Sequence, residues 1–380
     1  MKDVLRRLDF PLLISTIIFI ILGLVMIFSA SSITAIEKYN LPEYHFFLKE
    51  LIVVIVGAIV SFIFLFIDTR RYNYLSYILI IVMIIVLISL KTYGSITNSA
   101  KSWFKFMGFS VQPSEFCKTA IVLFLACAYG NRKKFKNKFD ILLPLVACVF
   151  IFGLVAIEPD LGTACIIALM SMTIFFTLPI EKNMFYSGIK LLTLLVIAGG
   201  IFFLSTDTQF LTETQKQRFT FKNPCQRMQE ATGYQVCNGY IAIHNGGLFG
   251  MGLGKSKQKN LYLPEAYTDF IFPIVVEEIG LVGGIAILIL YMFVLYRILA
   301  IARNARNLRG SIIAFGTFAY ILIHICINLG GALSLIPLTG VPLPFLSYGG
   351  SFMLNLLLLL TLTQRVAIES KYKKEGRQYE

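Results

Sequence analysis

The stretch PLLISTIIFIILGLVMIFSASS, residues 11–32, runs for 22 residues without a charged side chain. About 20 consecutive apolar residues carry a helix across the roughly 30 Å hydrocarbon core of a bilayer, so this run predicts a transmembrane span. Working outward along the chain, runs of the same kind occupy 47–67, 74–90, 115–129, 141–157, 161–178, 185–204, 270–299, 311–335 and 345–362. The expectation is an all-α polytopic membrane protein with ten transmembrane helices, forming one membrane domain over 1–380. One long extracytoplasmic loop, 205–269, separates helices 7 and 8, and a basic cytoplasmic tail covers 365–380. Composition agrees: 57% of the 380 residues are hydrophobic and 14% charged, whereas soluble domains carry about 25% charged residues. The first run is too long for a signal peptide and lacks a small-residue cleavage site after it.

A net charge of +13, from 34 Lys and Arg against 21 Asp and Glu, raises the question of nucleic acid. Placing the N-terminus inside puts more than half of the basic side chains in cytoplasmic segments, with clusters at Arg70-Arg71, Arg132 to Lys138 and Arg297 to Arg309. The excess is therefore read as an orientation signal with both termini cytoplasmic, and no nucleic-acid partner is expected. The long loop holds seven basic residues, but long loops cross largely regardless of charge. Cys117, Cys127, Cys148, Cys165 and Cys326 fall in apolar runs as small hydrophobes. Cys225 and Cys237 share the long loop, and the sequence leaves a disulfide between them open. There is no CxxC, and His45, His244 and His324 are far apart, so no metal site is expected.

Polar residues inside apolar runs are costly and need a reason. Four places stand out. In Gln112-Pro113-Ser114-Glu115-Phe116-Cys117-Lys118, Glu115 and Lys118 share one helix face. They are either a self-neutralising pair or a cation held for an anionic lipid headgroup. Trp103, the only Trp, reads as an interfacial anchor or a sugar-stacking ring. In Glu158-Pro159-Asp160-Leu161-Gly162-Thr163, Asp160 reads as the N-cap of the next helix. The long loop ends Leu263-Pro264-Glu265-Ala266-Tyr267-Thr268-Asp269-Phe270, where Asp269 is a helix N-cap, a general base, or both. Burial would raise its proton affinity and a helix N-terminus would lower it. In the stretch from Asn328-Leu329-Gly330 through Ser351, three prolines and repeated glycines forbid a continuous helix, suggesting broken backbone that is buried or lines a polar cavity.

Other motifs fail. The 245–256 run ends Gly254-Lys255-Ser256 like a phosphate-binding loop, but Phe249 stands where that motif needs Gly. Its glycines and lysines still suit an anion. Ser187-x-x-Lys190 has the spacing of a transpeptidase nucleophile but lacks the accompanying S-D-N and K-T-G motifs.

Taken together, these places resemble the SEDS family (shape, elongation, division and sporulation) of bacterial cell-wall synthesis. The matching residues are Gln112-Pro113-Ser114-Glu115 with Lys118, the 158–164 turn, Gly233-Tyr234-Gln235, the Gly246 to Gly254 run, Leu263-Pro264-Glu265 with 268–272, Glu277-Glu278 and 344–351. In one departure, Ser102 stands where the family usually has Arg before the Trp, leaving Lys101 and Lys105 as the neighbouring cations. The resemblance implies ten helices and a peptidoglycan glycosyltransferase in the bacterial cytoplasmic membrane, polymerising lipid II at its outer face. It carries the catalytic role onto Asp269. Trp103, Glu115, Lys118, Gln235, Glu265 and Ser347 become candidate substrate-binding residues. Expected partners are lipid II, a class B penicillin-binding transpeptidase, and divisome or elongasome membrane proteins. No cofactor is required, and a divalent cation carried by the substrate pyrophosphate is left open. The rivals are a lipid II flippase and a non-enzymatic scaffold for a transpeptidase.

Overall fold

The computed structural model describes residues 2–97, 100–106, 109–131, 135, 137–158, 160–190, 193 and 217–374. Its helices are α1 (Lys2–Arg6), α2 (Phe10–Tyr39), α3 (His45–Leu65), α4 (Tyr72–Tyr93), α5 (Pro113–Gly130), α6 (Phe139–Ile157), α7 (Leu161–Phe176), α8 (Ala231–Gly246), α9 (Ile271–Arg303), α10 (Leu308–Ala332) and α11 (Gly350–Lys374). Among the described residues seven, α2, α3, α4, α6, α9, α10 and α11, are long and apolar enough to cross a membrane. Two more fall on expected spans: α5, which carries Glu115 and Lys118, and α7, which has 16 residues. The expected span at 185–204 is helical over 185–190, and nearly all of the rest lies outside the described residues.

The helices α10 and α11 form the centre of the bundle, while α3 and α4 turn most of their apolar surface outward. Antiparallel packing of α2 along α9 is pinned at three heights. Arg297 Nη2 pairs with Asp9 Oδ2 at 2.5 Å, the Phe19 and Tyr291 rings lie 4.4 Å apart, and Ser29 Oγ donates to Glu278 Oε1 at 2.6 Å. Asp9 also caps α2 by accepting from Leu12 N, and its own N–H donates to Gln364 Oε1. Lys371 Nζ donates to Leu8 O, so the two chain ends meet at one end of the bundle. There Glu369 accepts from Thr69 N and Thr69 Oγ1, and Arg365 Nε donates to Glu369. These pairs carry α11 through Lys374, further than the apolar run ending at 362 suggested, while 345–349 precede the helix.

Three features go beyond the expected series of uninterrupted spans. A small antiparallel sheet, β1 (Ser95–Thr97), β2 (Ala100–Phe106) and β3 (Phe109–Val111), links α4 to α5 and carries Trp103. Its register pairs Thr97 with Ala100 and Phe106 with Phe109, and β-branched and aromatic residues supply the strands. Helix α8 lies inside the long loop, where Cys225 and Cys237 are joined by a disulfide. Finally, α9 is interrupted at Gly280, whose φ of 78° only glycine adopts readily.

That interruption is closed by the glycine-rich run. The Glu277 and Glu278 carbonyls accept from Met251 N and Gly252 N, and Leu281 N and Val282 N donate to the Gly247 and Leu248 carbonyls. A Cβ on Gly250 would lie 2.5 Å from Gly280 N, and one on Gly280 would lie 2.5 Å from Gly250 N. Both positions therefore require glycine. The backbone groups freed by the helix break are satisfied by the loop, as buried polar groups demand.

Candidate active site

At the bundle end opposite the termini, the last residues of the long loop meet the broken 337–349 segment. Asn328 of α10 joins them, its Nδ2 donating to Asp269 O and to Val341 O, both at 2.8 Å. Tyr348 N donates to Tyr267 O at 2.9 Å, and the Tyr267 and Tyr348 rings pack together with Phe46 of α3. Asp269 is half-buried. The N-cap of α9 is Phe270 and there is no side-chain cap, so Asp269 does not serve as the cap. Thr268 Oγ1 donates to Glu265 Oε2 at 2.7 Å and lies 3.3 Å from Asp269 Oδ1. Glu265 takes a left-handed φ of 54°, a strained conformation for a side chain of its size, fixed by Thr268 N and Phe270 N donating to its carbonyl. Burial first, and the Glu265 carboxylate second, push the Asp269 carboxyl up to about 7; the Arg218 guanidinium acts in the opposite sense. Gly340 faces both, with its Cβ direction 3.7 Å from Asp269 Oδ2 and 4.0 Å from Arg218 Nη1. The result is a carboxyl poised to exchange a proton near neutral pH beside a cation.

The second polar cluster lies between α5, α10 and α11. Lys118 Nζ donates to Glu115 Oε1 at 2.7 Å and sits 3.2 Å from His324 Nε2, with all three side chains buried. His324 Nδ1 is 2.7 Å from Tyr320 O. A carbonyl only accepts and an ammonium only donates, so the geometry assigns the proton to Nδ1 and leaves His324 neutral. Thr119 Oγ1 donates to Asn355 Oδ1. Lys118 is thus enclosed by its pair, rather than held at a membrane surface.

His324 and Asn328 are four residues apart on one face of α10, about 6 Å along its axis. One helix face therefore touches both Lys118 and Asp269. Gln112 adds a further link, its Nε2 donating to Asp160 Oδ2 at 2.6 Å and its N–H to Ser351 Oγ at 3.0 Å. Asp160 accepts from Thr163 N and caps α7 as the sequence suggested.

The remaining sequence candidates are placed as follows. Gln235, on α8, donates through Nε2 to Pro264 O at 3.3 Å, just before Glu265. Ser347 is fully buried, its Oγ accepting from Leu343 N at 2.8 Å and thereby holding the turn. Trp103 is half-buried on β2, and the adjacent Ser102 Oγ donates to Glu158 O. Glu277 anchors the loop, accepting from Asn245 Nδ2, Ser256 Oγ, Lys257 N and Gln258 N. Sequence reasoning missed Glu50, which is wholly buried on α3 with Oε2 accepting from Gly349 N. It also passed over Tyr320, and it named His324 and Asn328 without joining them on one helix face. Their spacing of four in an apolar run is the signal that marks a polar stripe on one helix face.

A bundle of membrane-length helices, closed at one end by a long loop and broken backbone around a carboxylate, defines a polytopic membrane protein with a candidate site at one end of the bundle. The family model FtsW/RodA/SpoVE, described as cell cycle protein, matches residues 10–372, and the chain belongs to this family. It is 35% identical to the probable peptidoglycan glycosyltransferase FtsW of Bacillus subtilis, over 100% of this chain and 95% of that protein. To stage V sporulation protein E of the same organism it is 33% identical, over 96% and 98% of the two chains. A solved structure described as structural coordination of polymerization and crosslinking by a peptidoglycan synthase complex shares the fold. Its TM-score is 0.73 at 24% identity, covering 95% of this chain and 97% of that one.

Proposed function

We propose that the chain is a peptidoglycan glycosyltransferase that polymerises lipid II into β-1,4 glycan at the outer face of the bacterial cytoplasmic membrane. The similarity to a protein named as such over the whole chain supports the activity. The observation that carries the chemistry is Asp269, a half-buried carboxyl of raised proton affinity beside Arg218. In this reading there are ten spans, the seventh within 185–204, the end holding both termini is cytoplasmic, and 205–269 lies outside.

Asp269 accepts the proton of a GlcNAc 4-hydroxyl as that oxygen attacks the anomeric carbon of the second lipid-linked sugar. The anomeric centre inverts, the bond to phosphate breaks and undecaprenyl pyrophosphate leaves. A carboxylate is a weak base for a sugar hydroxyl, so proton transfer accompanies bond formation; a proton affinity near neutral makes Asp269 a better base than an ordinary aspartate. Negative charge growing on the pyrophosphate is met by Arg218, and Lys118, enclosed with Glu115 and His324, adds its positive charge from within the bundle. Lys259 is held instead at the break in α9, where it pairs with Glu278 at 2.9 Å. Gln235, Glu265, Trp103 and the turn held by Ser347 shape the sugar-binding side, and the grooves between helices take the prenyl tails. The protein holds no resident cofactor in this reading, and any divalent cation arrives on the pyrophosphate. A class B penicillin-binding transpeptidase and other divisome or elongasome proteins are the partners.

The test is to reconstitute the chain in liposomes with lipid II and follow polymer and headgroup position together. Glycan formation supports the enzyme. Headgroup movement without polymer supports a flippase instead, and neither activity with retained transpeptidase binding supports a scaffold.

A further inference from the structure

The glycine-rich run at 246–254 suited an anion by sequence, yet its lysines do not converge. Lys255 and Lys257 are exposed and Lys259 is buried against Glu278. What the run presents instead is apolar: Phe249 is 81% exposed, Leu248 61% and Leu253 60%. This exposure is built in. The run is bonded at both edges to the break in α9, and the Gly250 and Gly280 backbones are in contact.

The depth of the break follows from helix length. Residues 281–303 form 23 residues of helix, about 34 Å at 1.5 Å per residue, against about 30 Å of hydrocarbon. With Arg303 at the end shared with the termini, Gly280 falls at the opposite hydrocarbon boundary. The outward face of α9 just below it is Leu281, Val282, Ile285 and Ile289, all exposed. Leu248 and Phe249 continue that apolar face, since Val282 N donates to Leu248 O.

We infer that the 246–257 segment is a membrane anchor, in which Leu248, Phe249 and Leu253 enter the acyl boundary of the leaflet opposite the termini. Lys255 and Lys257 follow immediately and meet lipid phosphates, the usual arrangement of interfacial anchors with apolar groups inward and cations at the headgroups. The occupant is bulk phospholipid. The sutured loop then holds the long loop, and with it the segment leading to Asp269, at headgroup height. The inference rests on the membrane reading of the bundle and not on the glycosyltransferase reading.

The experiment uses the full chain carrying Phe249→Trp in nanodiscs, with the Trp103 signal of the parent subtracted. Emission shifted to the blue, quenched by lipids brominated near the headgroup and protected from acrylamide, is expected. Emission typical of water, quenched by acrylamide and not by brominated lipid, overturns the anchor. Protection that appears only after adding a transpeptidase partner, or only as a second copy binds, also overturns it and reassigns the patch to that protein. Lys255→Gln with Lys257→Gln is expected to weaken headgroup-level quenching in anionic nanodiscs more than in zwitterionic ones.

Discussion

Asp269 and Glu265 share Thr268 between them, and burial together with the Glu265 charge discourages Asp269 from ionising. The Asp269 carboxyl, ordinarily near 3.8, loses its proton only around pH 7. A base must be deprotonated to act, so polymerisation is expected to rise with pH through about 7 and to fade below it. Stability runs the other way: between about 4 and 7 the folded chain keeps a proton that the unfolded chain releases, so folding weakens as pH rises across that window. Glu265→Gln removes the neighbouring charge and is expected to move the midpoint of the pH–rate profile downward; an unmoved midpoint would mean burial alone sets it. Lys118 yields a different prediction. Glu115→Ala leaves its ammonium buried without a carboxylate, a change that costs about 3–5 kcal/mol. Thermal unfolding in detergent measures it, and adding Lys118→Met should recover much of the loss. Asp269, Glu115 and Lys118 were legible because each falls in a cluster of polar residues set against an apolar run, where ionisable groups need a reason. Glu50 was not, because beside Lys49 at the start of an apolar run it reads as an ordinary span end, and His324 shows its role only when read together with Tyr320 and Asn328.

Among the elements, the break in α9 shows what hydropathy misses. Residues 270–299 read as one continuous span because the pattern of apolar residues does not register a φ of 78° at one glycine. Gly280→Ala would put a methyl onto the Gly250 backbone in a conformation alanine avoids. A loss of at least about 2 kcal/mol is expected, with release of the 246–254 loop; unchanged melting and unchanged protease resistance would contradict the suture. Nine of the ten expected spans coincide with helices because about 20 apolar residues admit little else. The β1–β3 sheet and α8 stayed hidden for the opposite reason. They are short, lie outside apolar runs, and take their conformation from packing against the bundle. The disulfide was open in the sequence, where separation along the chain says nothing of distance in space. Thiol alkylation of the denatured chain should label five cysteines without reductant and all seven after reduction; seven in both would rule out the Cys225–Cys237 bond.

For the molecule as a whole, α10 sets the height of the site. Arg309 at the termini end donates to Thr69 O, and Asn328, about 28 Å further along the helix, holds the Asp269 backbone. That distance nearly matches the hydrocarbon thickness, and in the proposed reading it sets Asp269 at the membrane boundary, where a lipid-linked sugar would present its headgroup. The α2–α9 ladder and the Glu369–Thr69 clamp fix the opposite end, leaving the long loop and 337–349 as the parts that shape the site. The decisive measurement is glycan formed from lipid II by the purified chain in nanodiscs, with the proposed transpeptidase partner supplied, comparing wild type with Asp269→Asn at equal folded amounts. Polymer from the wild type and a loss of about a hundredfold or more in the variant is expected. Wild-type polymer from folded Asp269→Asn would contradict Asp269 as the base.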